Sequence, residues 1–352
     1  MEFNIGNRVL GEHSPTYFIA DVASNHDGDL HKAKDLIFAA AEAGADAAKF
    51  QHFRAKTLIS QAGFSTLGKQ IAHQSTWNKS VYEVYKAAET DINWTQELFE
   101  TCKKAGIDFF SSVYDLQAID AIEQFVDVFK VGSGDIDWLE GLEIISRLRK
   151  PVIVATGASE LDEVHRVFDF FDSKNIQIAL LQCNTNYSGS DDVFYHMNLN
   201  VLTDYKSEFP ETIIGLSDHS RGHTAVLGAI ALGARIIEKH FTLDNDSQGP
   251  DHSFSLNPNT WSEMVRESRF LERSLGDGQK RVEKNELETV IVQRRGLYAS
   301  RDLSPGESLS TKNTVSLRPR LEGQLSPWRL YGETVLTARI SKDMPIFDAD
   351  VE

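Results

Sequence analysis

"YFIADVASNHDGDLHKAKDLIFAAAEAGADAAKFQ", residues 17–51, sets two short apolar runs on either side of a segment with helical spacing. The runs "YFIADV" (17–22) and "AAKFQ" (47–51) read as strands, and "HKAKDLIFAAAEAG" reads as an amphipathic helix stopped by glycine. Neither run alternates strictly between polar and apolar residues, so both faces of each strand are expected to be buried. That is the signature of a parallel sheet covered by helices.

The unit repeats along the chain. Further strands are expected at "DFFSSV" (108–113), "VFKVG" (128–132), "PVIVAT" (151–156), "IALLQC" (178–183), "IIGLSD" (213–218) and "RIIEKHF" (235–241). Helical segments such as "TQELFETCKKAG" lie between them. Eight such strands in about 250 residues predict an α/β fold of the closed (β/α)8 TIM-barrel kind. A doubly wound open sheet competes, but no G-x-G-x-x-G turn follows the first strand. After "ERSLGDGQK" the pattern changes to charged linker sequence and then to short apolar pieces between turn residues. We therefore divide the chain into a barrel over 1–280 and, over 281–352, a linker with a small β-rich domain.

Composition narrows the function. The 352 residues carry a formal charge of -16, which argues against a nucleic-acid partner because phosphate neutralisation needs clustered Lys and Arg. Cys102 and Cys183 are the only cysteines, with no CxxC pair, so a reducing cytoplasm fits best. No signal peptide is visible in "MEFNIGNRVLGEHSP", and no apolar run is long enough to span a membrane.

Barrel chemistry gathers at the C-terminal ends of the strands, and here every exit carries polar groups. In order they are Asp21 and Asn25, Lys49 and Gln51, Ser111 and Ser112, Lys130 with Ser133 and Asp135, Thr156, Gln182 with Asn184, Ser217 with His219, and Glu238 with His240. His219 and His240 would hang from adjacent strands, where two imidazoles can share a divalent cation with waters and substrate oxygens. Such donors suit Mn²⁺, Zn²⁺ or Fe²⁺ better than Mg²⁺. The plainer alternative is that each histidine bonds a neighbouring carboxylate, Asp218 or Glu238. Asp251 and His252 follow closely and are candidates for a water-mediated ligand or a substrate contact. Lys49 and Lys130, on interior strands, point to phosphate and carboxylate recognition or to a Schiff base. Pairing with Asp21, Glu238 or Asp135 is the plainer reading of each.

The segments "FIADVASNHDGDLHKAKDLIFAAAEAGADAAKFQ", "VGSGD", "TGAS", "GLSDHS", "EKHFTLDNDSQGPDHSFS" and "RRGLYASRDLSPGESLSTKN" together resemble the sialic acid (nonulosonic acid) synthase family. These enzymes join phosphoenolpyruvate to an N-acylated hexosamine. The resemblance implies a barrel with a small antifreeze-like (SAF) domain behind it, and a metal held by His219 and His240. It implies Asp135, Lys49, Lys130 and Glu238 as catalytic residues. Asp21, Asn25, Gln51, Ser112, Ser133, Asn184, Tyr187, Ser217, Asp251 and Arg295 are the substrate-binding set. Mn²⁺ is the expected cofactor, with Mg²⁺ or Co²⁺ as substitutes. Arg295, or its neighbour Arg294, would reach from the small domain of one subunit into its partner's site, making a homodimer with a domain-swapped cap.

Three departures bear on the acceptor. Asp21 and Asp135 stand where the family pattern has a glutamate, each facing the sugar half of the site, and "LLQCNTNYSGS" lacks the proline expected after the tyrosine. The resemblance thus implies retained phosphoenolpyruvate chemistry on N-acetylmannosamine or a 2,4-diacylamino-6-deoxy relative. The alternatives are a synthase of a shorter keto-sugar acid, a Schiff-base aldolase, and a sugar-binding barrel whose catalysis has decayed.

Overall fold

The computed structural model describes residues 2–187 and 189–352. They fall into two compact units, Met1–Gly276 and Asp277–Glu352. The first opens with a hairpin of β1 (Glu2–Ile5) and β2 (Arg8–Gly11). Eight parallel strands follow: β3 (Tyr17–Asp21), β4 (Ala47–His52), β5 (Asp108–Val113), β6 (Phe129–Val131), β7 (Val152–Ala155), β8 (Ile178–Cys183), β9 (Ile213–Asp218) and β10 (Ile236–His240). Pairing of β10 with both β9 and β3 closes the barrel, as the alternation of apolar runs and helices predicts.

Strand parity sorts the side chains into two layers. Phe18, Ala20, Ala48, Phe50, Phe129, Val152, Val154, Leu180, Ile214, Leu216 and Ile237 face outward and pack under the helices. The helix Leu30–Glu42 shows why: Ala33, Leu36, Ile37 and Ala40 recur at helical spacing on its buried face. Its start is fixed by the Asp29 side chain, which accepts from the backbone N–H groups of His31 and Lys32. The intervening positions face inward. Tyr17, Ile19, Ala47, Phe110, Val128, Ile153, Leu181, Ile213 and Ile236 fill the lower barrel.

The hairpin completes that lower core. Phe3, Ile5 and Leu10 join the same apolar cluster, which stops the N-terminal end of the barrel. Its two-residue turn requires Gly6, whose φ is 55° and whose absent Cβ would lie 2.5 Å from Asp127 Oδ2. The longest connection runs from β4 to β5. It contains three short helices, Ala55–Leu58, Gln61–Thr66 and Val81–Ala87, before the helix Thr95–Ala105 returns to the barrel wall.

The second unit has less strand than its turn-rich sequence suggests. A helix, Leu287–Gln293, occupies part of the charged linker. It precedes one antiparallel pair, β11 (Gly296–Ala299) with β12 (Thr314–Leu317), and several isolated bridges. A separate core of Leu297, Ala299, Leu303, Leu309, Leu325, Leu336, Ile340 and Ile346 holds the unit together.

Candidate active site

Two residues above the apolar layer, the same inward-facing positions turn ionic. The register sets Asp21 beside Lys49, Ser112 beside Lys130, and Glu238 beside Ser217. Lys49 Nζ lies 2.8 Å from Asp21 Oδ2 and 3.2 Å from Glu238 Oε1, and it donates to Ser112 Oγ at 3.1 Å. Lys130 Nζ is 3.4 Å from the same Glu238 oxygen, which also accepts from Ser217 Oγ at 3.1 Å. Gln51 Nε2 donates to Asp21 Oδ2 at 3.1 Å. All four charged groups are buried.

Two ammonium groups face two carboxylates, so the cluster is formally balanced, but its members respond differently. Burial opposes the charge on Lys49, yet Asp21 and Glu238 outweigh it and raise its pKa. Burial lowers the pKa of Lys130, with only Glu238 close enough to oppose it strongly, and Lys49 adds repulsion. Burial also works against the Glu238 carboxylate, but Lys130 and then Lys49 hold it well below the usual carboxylate range. Glu238 Oε2 is buried without a hydrogen-bond partner among the described residues. This layer therefore holds one lysine paired with two carboxylates, a second lysine paired with one, and a carboxylate oxygen in want of a donor. Burying such a group unpaired is costly unless something binds there.

His219 and His240 do come together, with ring centroids 5.2 Å apart and both side chains buried. Neither bonds the carboxylate offered as its plainer partner. Asp218 faces the outer layer and pairs with Lys239 at 2.7 Å. His219 Nδ1 instead meets the Asn184 carbonyl at 3.0 Å, and His240 Nε2 is 3.7 Å from Asp21 Oδ2. His240 Nδ1 is buried and unpartnered among the described residues. Two imidazoles, one with an orphaned nitrogen, fit a divalent cation with open positions for water and substrate oxygen. No group of three or more protein ligands occurs among the described residues, so most coordination would come from outside the chain. His252 is not available, because its ring nitrogens meet Thr242 Oγ1 at 2.7 Å and Asp27 Oδ1 at 3.1 Å.

Above this layer lies a cavity of about 520 Å³ whose lining includes Gln51, Ser133, Asp135, Tyr187, His240 and Asp251. It shares Trp77, Thr185 and Tyr187 with an adjoining cavity of about 1030 Å³ that includes Asn184. Asp135 closes a single 3-10 turn, Ser133–Asp135, just beyond β6. Burial, opposed by Lys130, moves its pKa from 3.8 to about 6, in the range useful for proton transfer near neutrality. The side chain of Tyr114 converges on the same spot. A Cβ on Gly132 would lie 3.0 Å from the Tyr114 hydroxyl and 3.4 Å from Asp135 Oδ2, so a side chain there would crowd Tyr114. Burial first, and then Asp135, keep the Tyr114 phenol protonated.

Not every residue named from the sequence lines the cavity. Asp21, expected to face the sugar half, belongs to the charged layer beside Lys49. Asn25 is buried behind the mouth, where its Nδ2 donates to the Phe241 carbonyl at 2.9 Å and to Ser255 Oγ at 3.0 Å. Asn184 Nδ2 donates to the His196 carbonyl at 3.0 Å, so its side chain braces the loop. Asp251 does line the cavity, and its carboxylate accepts from Ser24 Oγ at 2.6 Å. Arg295, in the second unit, donates to the Ser316 carbonyl at 2.8 Å. Ser188, at the position where the family pattern has proline, lies outside the described residues. Sequence reading missed Tyr114, although it stands one residue beyond β5 and the strand-exit rule would have found it. Trp77 and Tyr85 lie in the long β4–β5 connection, which carries no such signal.

A closed (β/α)8 barrel with an ionic layer and a cavity at its C-terminal mouth has the plan of a barrel enzyme. The model of the NeuB family matches residues 36–280, and the chain belongs to that family. It is 37% identical over 311 residues to the N,N'-diacetyllegionaminic acid synthase of Campylobacter jejuni, covering 86% of this chain and 90% of that protein. The pseudaminic acid synthase of the same species is 34% identical over 336 residues, covering 95% and 94%. Among solved structures, the N-acetylneuraminic acid (sialic acid) synthetase of Leptospira borgpetersenii, in complex with citrate, superposes with a TM-score of 0.71 at 30% identity. That match covers 82% of this chain and 95% of that one.

Proposed function

We propose that this protein condenses phosphoenolpyruvate with an N-acylated hexosamine to give a nonulosonic acid and phosphate. The observation that carries this reading is the buried Asp21–Lys49–Glu238–Lys130 cluster beside the His219–His240 pair, beneath a sugar-sized cavity in a NeuB-family barrel. Carbon three of phosphoenolpyruvate attacks the open-chain acceptor's aldehyde carbon and forms the new C–C bond. Water then adds to carbon two, the bond from carbon two to the phosphate oxygen breaks, and a ketone remains. Lys130, held by a single carboxylate, is the cation free to turn toward an incoming phosphate or carboxylate, while Lys49 stays anchored. Ser133 and Ser217 supply neighbouring donors. Asp135 takes or returns the proton at the acceptor oxygen, with Tyr114 beside it as a donor. A divalent cation held by His219 and His240 would supply Lewis-acid polarisation of the acceptor carbonyl, Mn²⁺ being preferred.

In the same reading the barrel is the catalytic domain, and the second unit is an antifreeze-like cap. The cap is supplied in trans within a cytoplasmic homodimer, and its Arg295 contacts the acyl group. No helix of the described residues is long and apolar enough to cross a membrane. The test is phosphate release from phosphoenolpyruvate, expected only with an acylated amino sugar present, abolished by chelation and restored by Mn²⁺. Release without an acceptor, or full activity of His219→Ala and His240→Ala in metal-free buffer, would count against it. Mixing Arg295→Ala with His240→Ala subunits should restore part of the activity if the cap acts in trans.

The lowered pKa of Lys130 favours one second reading, a Schiff-base aldolase. Borohydride would then trap a covalent adduct with a keto acid on Lys130. We expect no such adduct.

A further inference from the structure

His240 and His219 face each other, but the chain holds them unequally. His240 is still within β10, paired with Asp21 of β3, and its carbonyl accepts from the Leu256 N–H at 2.9 Å. His219 stands one residue beyond the last β9–β10 pair, Asp218 with Lys239, at the start of a loop.

The outward positions at that level break the rule of their layer. Leu216 and Ile237 are apolar and pack under the helices, and two residues later on the same strands stand Asp218 and Lys239. Both are buried, with Lys239 Nζ 2.7 Å from Asp218 Oδ2. What remains of the pair's bonding goes to a single residue. Asp218 Oδ1 accepts from the Ser220 N–H at 2.8 Å, and Lys239 Nζ donates to the Ser220 carbonyl. Ser220 is itself buried, and the pair satisfies both of its main-chain groups. A buried ion pair is seldom more stable than packed apolar side chains of similar size, so stability alone does not account for this one. Its effect is local: it ties the main chain on both sides of His219, at the residue before and the residue after.

We infer that Asp218 and Lys239 are positioning residues for the candidate metal site, a role that rests on the metal reading above. The pair clamps the loop from which His219 hangs and keeps its imidazole where it and His240 reach one divalent cation. The Asn184 carbonyl at His219 Nδ1 sets the direction of the ring, and the clamp sets where the ring begins.

The measurement is Mn²⁺ binding to the full-length protein, read from the EPR signal of the free ion, with urea unfolding alongside. Asp218→Leu combined with Lys239→Met replaces the pair by apolar side chains and strands no charge, so the variant should unfold near the parent's midpoint. Its Kd for Mn²⁺ should nevertheless rise about 10- to 100-fold, the range for groups that orient a metal ligand. Asp218→Asn keeps an oxygen for the Ser220 N–H but leaves Lys239 buried without a countercharge. It should be the less stable variant and the tighter binder of the two. A parent-like Kd in the double variant, or affinities that fall in step with stability, would overturn the inference. A double variant that does not fold would assign the pair to the fold alone and overturn it as well. A parent that binds Mn²⁺ no better than His219→Ala would instead overturn the metal reading on which it rests.

Discussion

The lower and upper halves of the barrel interior are built from the same strands and the same inward parity, yet they do opposite things. Ile19, Ala47, Phe110, Val128 and Ile236 belong to a closed apolar core, and two residues further along the same strands stand Asp21, Lys49, Ser112, Lys130 and Glu238. The lower layer gains stability from every contact it makes. The upper layer spends it, because buried ion pairs rarely recover their desolvation and orphaned polar atoms never do. Glu238 Oε2 and His240 Nδ1 are two such atoms, both at the level where substrate is proposed to bind. Stability and chemistry are thus separated by about 7 Å, two strand residues.

Breaking the comparison from above should have the largest effect. Lys49→Met leaves Asp21 and Glu238 facing each other, with an expected cost of about 3–5 kcal/mol in denaturant unfolding and loss of detectable turnover. Adding Asp21→Asn should return much of the stability and none of the activity. Recovery of both would mean that the upper layer is structural.

From below, Phe110→Ala should cost about 3–5 kcal/mol through the cavity it leaves. Wherever the variant is folded, its kcat should match the parent. A fall in kcat of the folded variant, with metal affinity unchanged, would show that the two layers are coupled.

The smallest effects are titrations at the upper end. Burial lowers the pKa of both His26 and His52 from 6.5 to about 4. Their folded-state values are depressed, so their contribution is full above pH 6.5 and is lost as pH falls toward about 4. Asp135 has the opposite sign. Its raised value favours the folded state below pH 3.8, and that contribution is lost as pH rises to about 6. Asp135→Asn should therefore make the acid loss of stability steeper, while removing the ionisation near pH 6 from the kcat profile. His52→Gln should make the acid loss shallower. Stability curves that both variants leave unchanged would contradict the assigned environments.

Much of this was legible in the sequence because barrel strands, buried on both faces, read as continuous apolar runs. All eight lie within two residues of their expected ends. The polar exits were legible too, since a charge at the end of such a run stands out. Pairing was not: nothing local says that Asp218 takes Lys239 and leaves His219 to a backbone carbonyl. The terminal hairpin was overlooked although Phe3, Ile5 and Leu10 alternate around Gly6, because so short a ribbon gains its stability from the barrel it stops. The cavity's aromatic wall is assembled from contacts far apart in the chain, so local periodicity carries no trace of it.

The central claim is that the upper layer joins two carbons and then expels phosphate from carbon two of phosphoenolpyruvate. Phosphoenolpyruvate labelled with ¹⁸O in the bridge between carbon two and phosphorus tests it directly, with released phosphate read by ³¹P NMR. The account predicts that the label leaves with the phosphate, since the carbon–oxygen bond is the one that breaks. Label retained in the sugar acid would mean that the phosphorus–oxygen bond breaks instead, and the proposed chemistry of this layer would be wrong.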